Sequence, residues 1–261
     1  MSKLPEYVPG HQLLAGKSVL ITAAAGAGIG YAAARRCAEE GCRALMISDI
    51  HPRRLEEAVA RLKTETGLEA VWGQLCNVTV EEDVRALVAA AEARLGGVDV
   101  LINNAGLGGE KRVTEMTDEE WQRVLDITLT GTFRMTRAML PHMEKRGCGA
   151  IVNNASVLGW RAQKLQAHYA AAKAGVMALT RCSALEAAEH GVRINAVSPS
   201  IALHDFLKKA ASEELLAQLT SREAFGRAAE VWEVANVMVF LASDYASYMT
   251  GEVLSVSSQH A

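Results

Sequence analysis

No run of eighteen or more apolar residues occurs in this chain, so no membrane-spanning helix and no membrane partner are expected. Aromatic residues are scarce, at 5 %, while half of the 261 residues are apolar, which predicts one large domain with an alanine- and valine-rich core. Positive charge is not in excess: the formal net charge of −3 leaves no basic footprint, and nucleic acid is excluded as an expected partner. The five cysteines (Cys37, Cys42, Cys76, Cys148, Cys182) are scattered, odd in number and without paired spacing. They fit reduced core thiols rather than a disulfide framework, and no structural metal is expected. The first ten residues hold two prolines and several charges where a secretory signal needs an apolar centre, so a cytoplasmic location is expected. Internal repeats, linkers and low-complexity segments are also lacking.

What is present centres on Tyr169-Ala170-Ala171-Ala172-Lys173, in an alanine run that predicts helix. A spacing of four on a helix sets the phenol and the ammonium on one face. A neighbouring cation favours phenolate over phenol, so Lys173 is expected to lower the pKa of Tyr169 and make it a proton donor and acceptor near neutrality. The same two residues also suit an amphipathic helix whose tyrosine and lysine reach solvent.

The chain before it alternates strands and helices. Ser18 to Thr22 reads as a strand and Tyr31 to Glu40 as a helix, joined by a turn that holds Gly26, Gly28 and Gly30. Such a turn lets backbone approach a pyrophosphate at a helix N-terminus, or serves tight helix–strand packing. A second strand, Ala44 to Ser48, ends at Asp49, which can accept from an adenosine ribose and would repel a 2′-phosphate, favouring NAD over NADP; it can also cap the helix at Pro52. Arg53 and Arg54 soften that repulsion or are solvated face charges. A helix to about Thr66, a strand Ala70 to Leu75 ending at Asn77, a helix Val80 to Leu95 and a strand Val98 to Ile102 follow. This order predicts an α/β doubly wound parallel sheet with helices on both faces. Asp49, Asn77 and Asn103-Asn104-Ala105-Gly106 fall at the carboxyl ends of strands, where ligands gather on such a sheet.

A long helix is expected from Asp118 to about Lys145, bent at Gly131 and interrupted near Pro141. The strand Ala150 to Asn154 delivers Ser156 to the same edge, where its hydroxyl serves either a turn or a substrate oxygen. After helix 166–189, strand Val192 to Val197 brings Pro199 and Ile201 to the rim. Residues 202–227 have the length of a lid, whose Leu203, Phe206, Leu207, Leu215, Leu216 and Leu219 line a pocket or face the core. Lys208, Lys209 and Arg222 meet an anionic substrate or water. A helix Glu230 to Ser243 and a strand Glu252 to Val256 complete the pattern.

The ordered set of a glycine-rich turn, Asp49, NNAG at 103–106, Ser156 and YxxxK at 169–173 resembles the short-chain dehydrogenase/reductase family over essentially the whole chain. The resemblance implies a single-domain Rossmann-type fold of about seven strands: a leader at 1–16, then a dinucleotide-binding catalytic domain at 17–261 with a substrate lid near 200–227. It implies that Tyr169 is the acid/base, that Lys173 holds the nicotinamide ribose and that Ser156 positions the substrate oxygen. Thr128, at the place of the family's helix asparagine, is the implied relay member. A nicotinamide dinucleotide, NAD(H) in preference to NADP(H), is implied to lie on Thr22, Ala25, Gly26, Gly28, Ile29 and Gly30. It continues past Asp49, Asn77 and Val78, then Asn104, Ala105 and Gly106, then Tyr169, Lys173, Pro199 and Ile201. A homotetramer packed through the helices beginning near 118 and 166 is implied too.

This sequence departs from the family pattern in named places. Thr22 is followed by alanines and one residue too many, with Gly26 as compensation; Asn77 replaces an aspartate and offers its carbonyl oxygen to the adenine amino group. His204 stands where a nicotinamide-binding threonine is usual, and His260 ends a replaced C-terminal motif that closes the site in a neighbouring subunit. More finely, residues 4–11, the Thr-Ala-Ala-Ala-Gly turn, residues 157–163 and Ser198-Pro199-Ser200 resemble an actinobacterial group within the family that serves cholesterol C- and D-ring breakdown. That resemblance implies a small-molecule substrate: an apolar cyclic, steroid-derived hydroindane acyl-CoA whose ring hydroxyl and ketone are interconverted. Two alternatives stand beside it: a 3-oxoacyl thioester reductase preferring NADPH, and a nucleotide-sensing or scaffold protein that lost the chemistry.

Overall fold

The computed structural model describes residues 4–203 and 213–258, except the side chains of Glu213 and Leu215. His204, Phe206, Leu207, Lys208, Lys209 and His260, and so the central part of the expected lid, lie outside the described residues.

The chain opens β1 (Ser18–Ile21), α1 (Ile29–Glu39), β2 (Ala44–Asp49), α2 (Pro52–Thr66), β3 (Val71–Leu75), α3 (Glu81–Leu95) and β4 (Val100–Asn103). It continues α4 (Asp118–Leu125), a π turn (Asp126–Thr130), α5 (Gly131–Arg146), β5 (Gly149–Asn154), α6 (Ala167–Ala188) and β6 (Val192–Pro199). Then come β7 (Ala202–Leu203), α7 (Glu213–Thr220), β8 (Ala229–Glu230), α8 (Val231–Ala242) and β9 (Val253–Val256). Seven strands make one sheet, all parallel neighbours, in the order β3-β2-β1-β4-β5-β6-β9. The direction of winding reverses between β1 and β4, which opens a crevice at their carboxyl ends.

Two apolar cores, one on each face, follow from the two-residue period of the strands. Val19, Ile21, Leu45, Ile47, Val100, Ile102 and Val152 point into a layer with α1, α2 and α8. Leu20, Met46, Leu101 and Ile151 point the other way, against α3, α5 and the end of α6. Burial on both faces explains why these strands read as continuous apolar runs.

The long helix expected over 118–145 runs without a gap from Asp118 to Arg146; its irregularity is the π turn at Asp126–Thr130, just before Gly131, and α5 passes through Pro141. A Cβ on Gly131 would meet Val78 Cγ2 at 2.7 Å, so only glycine lets this helix approach the end of β3. The extra residue of the π turn turns Thr128 inward, where it is fully buried. The small β7–β8 pair, absent from the sequence expectation, joins Ala202–Leu203 to Ala229–Glu230.

Residues 4–16 read as a leader without periodicity, yet they are strapped to the domain. Tyr7 donates to Glu39 and packs edge-on to Trp232, with ring centroids 5.3 Å apart. The Arg36 guanidinium donates to the carbonyls of Val8 and Pro9. Glu40, wholly buried, accepts from Arg36 at 2.6 Å and from the backbone N–H groups of His11 and Leu13 at 2.7 and 3.1 Å. A buried ion pair broken on one side leaves an uncompensated charge. Glu40→Ala is therefore expected to lower the unfolding free energy by about 3 kcal/mol, read from denaturant melts; a change under about 1 kcal/mol would show that the strap adds nothing.

Candidate active site

The edge formed by the ends of β1, β2, β4, β5 and β6 carries most of the residues singled out from the sequence. On β1, the Thr22 hydroxyl accepts the backbone N–H groups of Asn104 and Ala105 at 3.0 and 3.1 Å. The Asn104 amide returns two bonds, to the carbonyls of Thr22 and Ala23 at 3.2 and 3.0 Å. The first turn is thus held to the loop after β4. A Cβ on Gly30 would fall 2.4 Å from Asn104 Nδ2 and 2.6 Å from the Ala23 carbonyl, which is why this helix turn accepts no side chain there. Gly26 stands open, with nothing within 4 Å, and Gly28 precedes α1, whose first residue is Ile29. The expectation that Gly26 compensates for the altered turn is corrected: the left-handed residue is Ala23, at φ 52.

Asp49 closes β2 beside this turn, accepting from the N–H groups of Ala25 at 3.3 Å and His51 at 3.1 Å, with Arg54 3.9 Å away. Asn77 differs from expectation. Its carbonyl oxygen already accepts the Thr79 N–H at 3.1 Å and the Thr79 hydroxyl at 2.9 Å, because the side chain closes a turn on its own backbone. Val78 is buried against Gly131. Pro199 ends β6, and the Ile201 carbonyl accepts the Ala229 N–H at 2.9 Å.

Tyr169 and Lys173 occupy the first turns of α6. Burial raises the Tyr169 phenol, and a hydrogen bond from the Ser156 hydroxyl acts the other way. Lys173 is 3 % exposed, and burial alone brings its ammonium down to about 8. Its Nζ lies 5.6 Å from the Tyr169 ring centroid and donates to the Asn154 carbonyl at 2.5 Å. The expectation that Lys173 lowers the Tyr169 pKa is corrected here: in this arrangement desolvation dominates, and the opposing hydrogen bond comes from Ser156. Ser156 Oγ also accepts the Leu158 N–H at 3.3 Å, so this serine serves the turn as well as meeting the Tyr169 phenol.

A Cβ on Gly106 would sit 3.4 Å from Lys173 Nζ and 3.8 Å from Thr128 Oγ1, so these three groups meet. Thr128, however, accepts the Leu107 N–H at 3.0 Å and donates to the Leu107 carbonyl at 3.3 Å. With its single proton so used, its observed task is to fix the loop after β4 rather than to anchor a relay.

Three contributors were not singled out from the sequence. Asn154 takes the lysine on its carbonyl and donates from its side chain to Asn104 Oδ1 at 3.0 Å. Gly108 lies over Tyr169, where a Cβ would be 3.9 Å from the ring, and Gly109 lies over the buried His168, at 3.2 Å by the same measure. A polar residue ending an apolar strand, Ile151-Val152-Asn153-Asn154, was the signal available for the first. An open glycine before the N-terminus of α1, a carboxylate at the end of β2 and a buried lysine fit a nicotinamide dinucleotide. Among the described residues no cluster of three or more His, Cys, Asp or Glu could hold a metal.

A family model described as enoyl-(acyl carrier protein) reductase matches residues 23–258. The chain is 61 % identical over all its 261 residues, and 99 % of the relative's, to (5R,7aS)-5-hydroxy-7a-methyl-1-oxo-2,3,5,6,7,7a-hexahydro-1H-indene-carboxyl-CoA reductase of Mycobacterium tuberculosis. It is 40 % identical to cis-4-hydroxycyclohexanecarboxylate dehydrogenase of Sinomonas cyclohexanicum, covering 91 % of this chain and 94 % of that one. The crystal structure of a short chain dehydrogenase from Mycobacterium smegmatis superposes with a TM-score of 0.88 at 56 % identity, covering 99 % of both chains.

The buried lysine sets a stability difference whose sign follows from its titration. Below pH 8 Lys173 is charged both folded and unfolded, so the cost of burying the charge is fully present; between about 8 and 10.5 the unfolded chain holds a proton that the folded one has released, and the cost fades. Lys173→Met is expected to be more stable than the parent by about 2 kcal/mol at pH 7, with the gap closing as pH rises through that window. Paired denaturant melts from pH 6.5 to 10.5 check it, and a gap independent of pH would rule out a desolvated ammonium.

Proposed function

The chain belongs to the short-chain dehydrogenase/reductase family and is an oxidoreductase, and from that premise we propose that it interconverts a ring ketone and hydroxyl on a steroid-derived bicyclic acyl-CoA with NADH as hydride carrier. The observation that carries the substrate class is the 61 % identity, over the full chain, to a relative named for a hydroindene carboxyl-CoA. The 40 % identical relative named for a cyclohexane alcohol supports a cyclic substrate. The family supplies the nicotinamide cofactor; the preference for NADH rests on Asp49, whose carboxylate would repel a 2′-phosphate with only Arg54, 3.9 Å away and half exposed, to offset it.

When bound, the nicotinamide gives or takes the hydride. The chain's own residues handle the proton and the oxygen. In reduction, Tyr169 holds a proton at its phenol oxygen, kept there at neutral pH by burial, and delivers it to the developing alkoxide. The Ser156 hydroxyl, which meets that phenol, donates to the same substrate oxygen and fixes its place. The Lys173 ammonium, 5.6 Å from the tyrosine ring centroid, would hold the nicotinamide ribose beside it. The Gly108 segment covers the tyrosine ring without a side chain, leaving room for a bulky ring above it.

Cytoplasmic action and a homotetramer belong to the same proposal. Among the described residues no helix is long and apolar enough to cross a membrane. Partly exposed Trp121 on α4, Phe133 on α5 and the largely exposed Leu185 on α6 support packing of those helices between subunits.

The test follows nicotinamide absorbance on mixing the protein with NADH or NADPH and a ketonic hydroindane CoA thioester, beside a 3-oxoacyl-CoA. Turnover of the bicyclic ketone with NADH is expected, reduced about a thousandfold in Tyr169→Phe while NADH binding persists. Faster turnover of the 3-oxoacyl thioester with NADPH would assign the chain to fatty-acid-type reduction. NADH binding with no turnover of any ketone would make it a nucleotide sensor.

A further inference from the structure

The polar contacts of the site converge on one residue outside the roles above. Asn154, the last residue of β5, is bonded in two directions: its carbonyl oxygen accepts Lys173 Nζ at 2.5 Å, and its side-chain Nδ2 donates to Asn104 Oδ1 at 3.0 Å. Asn104 in turn bonds the carbonyls of Thr22 and Ala23, the backbone of the nucleotide turn. The second side-chain atom of the residue, Asn154 Oδ1, is buried and has no hydrogen-bond partner. Thr128, whose position by resemblance should steady the lysine, spends its hydroxyl on Leu107.

We propose that Asn154 is a positioning residue that locks the Lys173 ammonium and the nucleotide turn into one frame, and that its two oxygens supply the negative potential beside that ammonium. This rests on the reading of the site as that of a nicotinamide enzyme. Among the described residues, the groups placed against the ammonium are Tyr169 of α6, Asn154 of β5, Gly106 of the loop after β4 and Thr128 of the π turn; of these only Tyr169 titrates, and no charged group shifts Lys173. A buried charge with no counter-charge depends on the dipoles that touch it. Covalent geometry keeps Oδ1 within about 7 Å of Nζ, close enough for a change of charge there to be felt.

Two substitutions pull in opposite directions. Asn154→Leu removes the donor to Asn104 Oδ1, leaving a half-buried acceptor without it, and is expected to weaken NADH binding about tenfold. It also removes the side-chain oxygen, within about 7 Å of the ammonium, so the alkaline limb of kcat/KM, set by loss of the Lys173 proton, moves down by about half a pH unit. Asn154→Asp brings a negative charge and moves that limb up by about one unit. Asn104→Ala should reproduce the loss of NADH affinity and leave the limb in place. Merely lowered stability moves neither the limb nor its direction. The measurements are NADH fluorescence titrations and pH–rate profiles on the full chain, with Asn154→Ser, expected to be intermediate in both, if the leucine variant does not fold. Because NADH binding needs no turnover, a chain that binds NADH but reduces no ketone defeats the enzymatic reading while the affinity loss in Asn154→Leu still reports on this one. Unchanged affinity in Asn154→Leu, or limbs that move the same way in the leucine and aspartate variants, would overturn it.

Discussion

A charged lysine held away from water at the carboxyl end of the sheet is the constraint on which the site depends. Lys173 is 3 % exposed and meets the Asn154 carbonyl rather than a carboxylate. A carboxylate would cancel its charge, whereas a carbonyl dipole holds the ammonium and leaves it a net charge. That requirement fixes β5 to α6, since the residue offering the carbonyl ends one and the lysine opens the other. Through the same asparagine it fixes β5 to Asn104 and so to the first turn.

The π turn is the second consequence of bringing groups to this edge. A regular helix through Asp126–Thr130 would carry Thr128 about one position round the axis, away from Leu107. The widened turn is stable here because Gly131 packs on Val78 without a Cβ and Arg134 bonds Asp126 at 2.7 Å across it. The result is a loop after β4 whose Leu107 is tied at both backbone atoms, so Gly108 rests at a defined height over Tyr169.

The parallel sheet and the sheet-edge position of Asp49, Asn104, Ser156 and Tyr169 were legible in the sequence because period and strand order are local signals. Where reading failed, the deciding contact lay far along the chain. Gly131 reads as a possible bend, but the helix departs from regularity just before it because the end of β3 packs against it. Pro141 reads as a break, yet α5 continues through it, held by the buried Met139 and Met143 on either side. Asn77 and Thr128 were assigned roles by alignment to a pattern, and each side chain is used by a neighbouring backbone that the pattern does not contain. Asn154 was passed over because its importance lies in its carbonyl, which every residue has, and only the fold shows which carbonyl a buried lysine reaches.

Burial acts on the two titrating groups in opposite senses, raising the phenol and lowering the ammonium, so each at rest leans toward its neutral form. In water their attraction would be slight; at low effective dielectric it is several times stronger. Neutral tyrosine beside charged lysine is therefore the resting state at neutral pH. Burial of both groups at the sheet edge is what distinguishes this pair from a surface tyrosine and lysine at the same spacing.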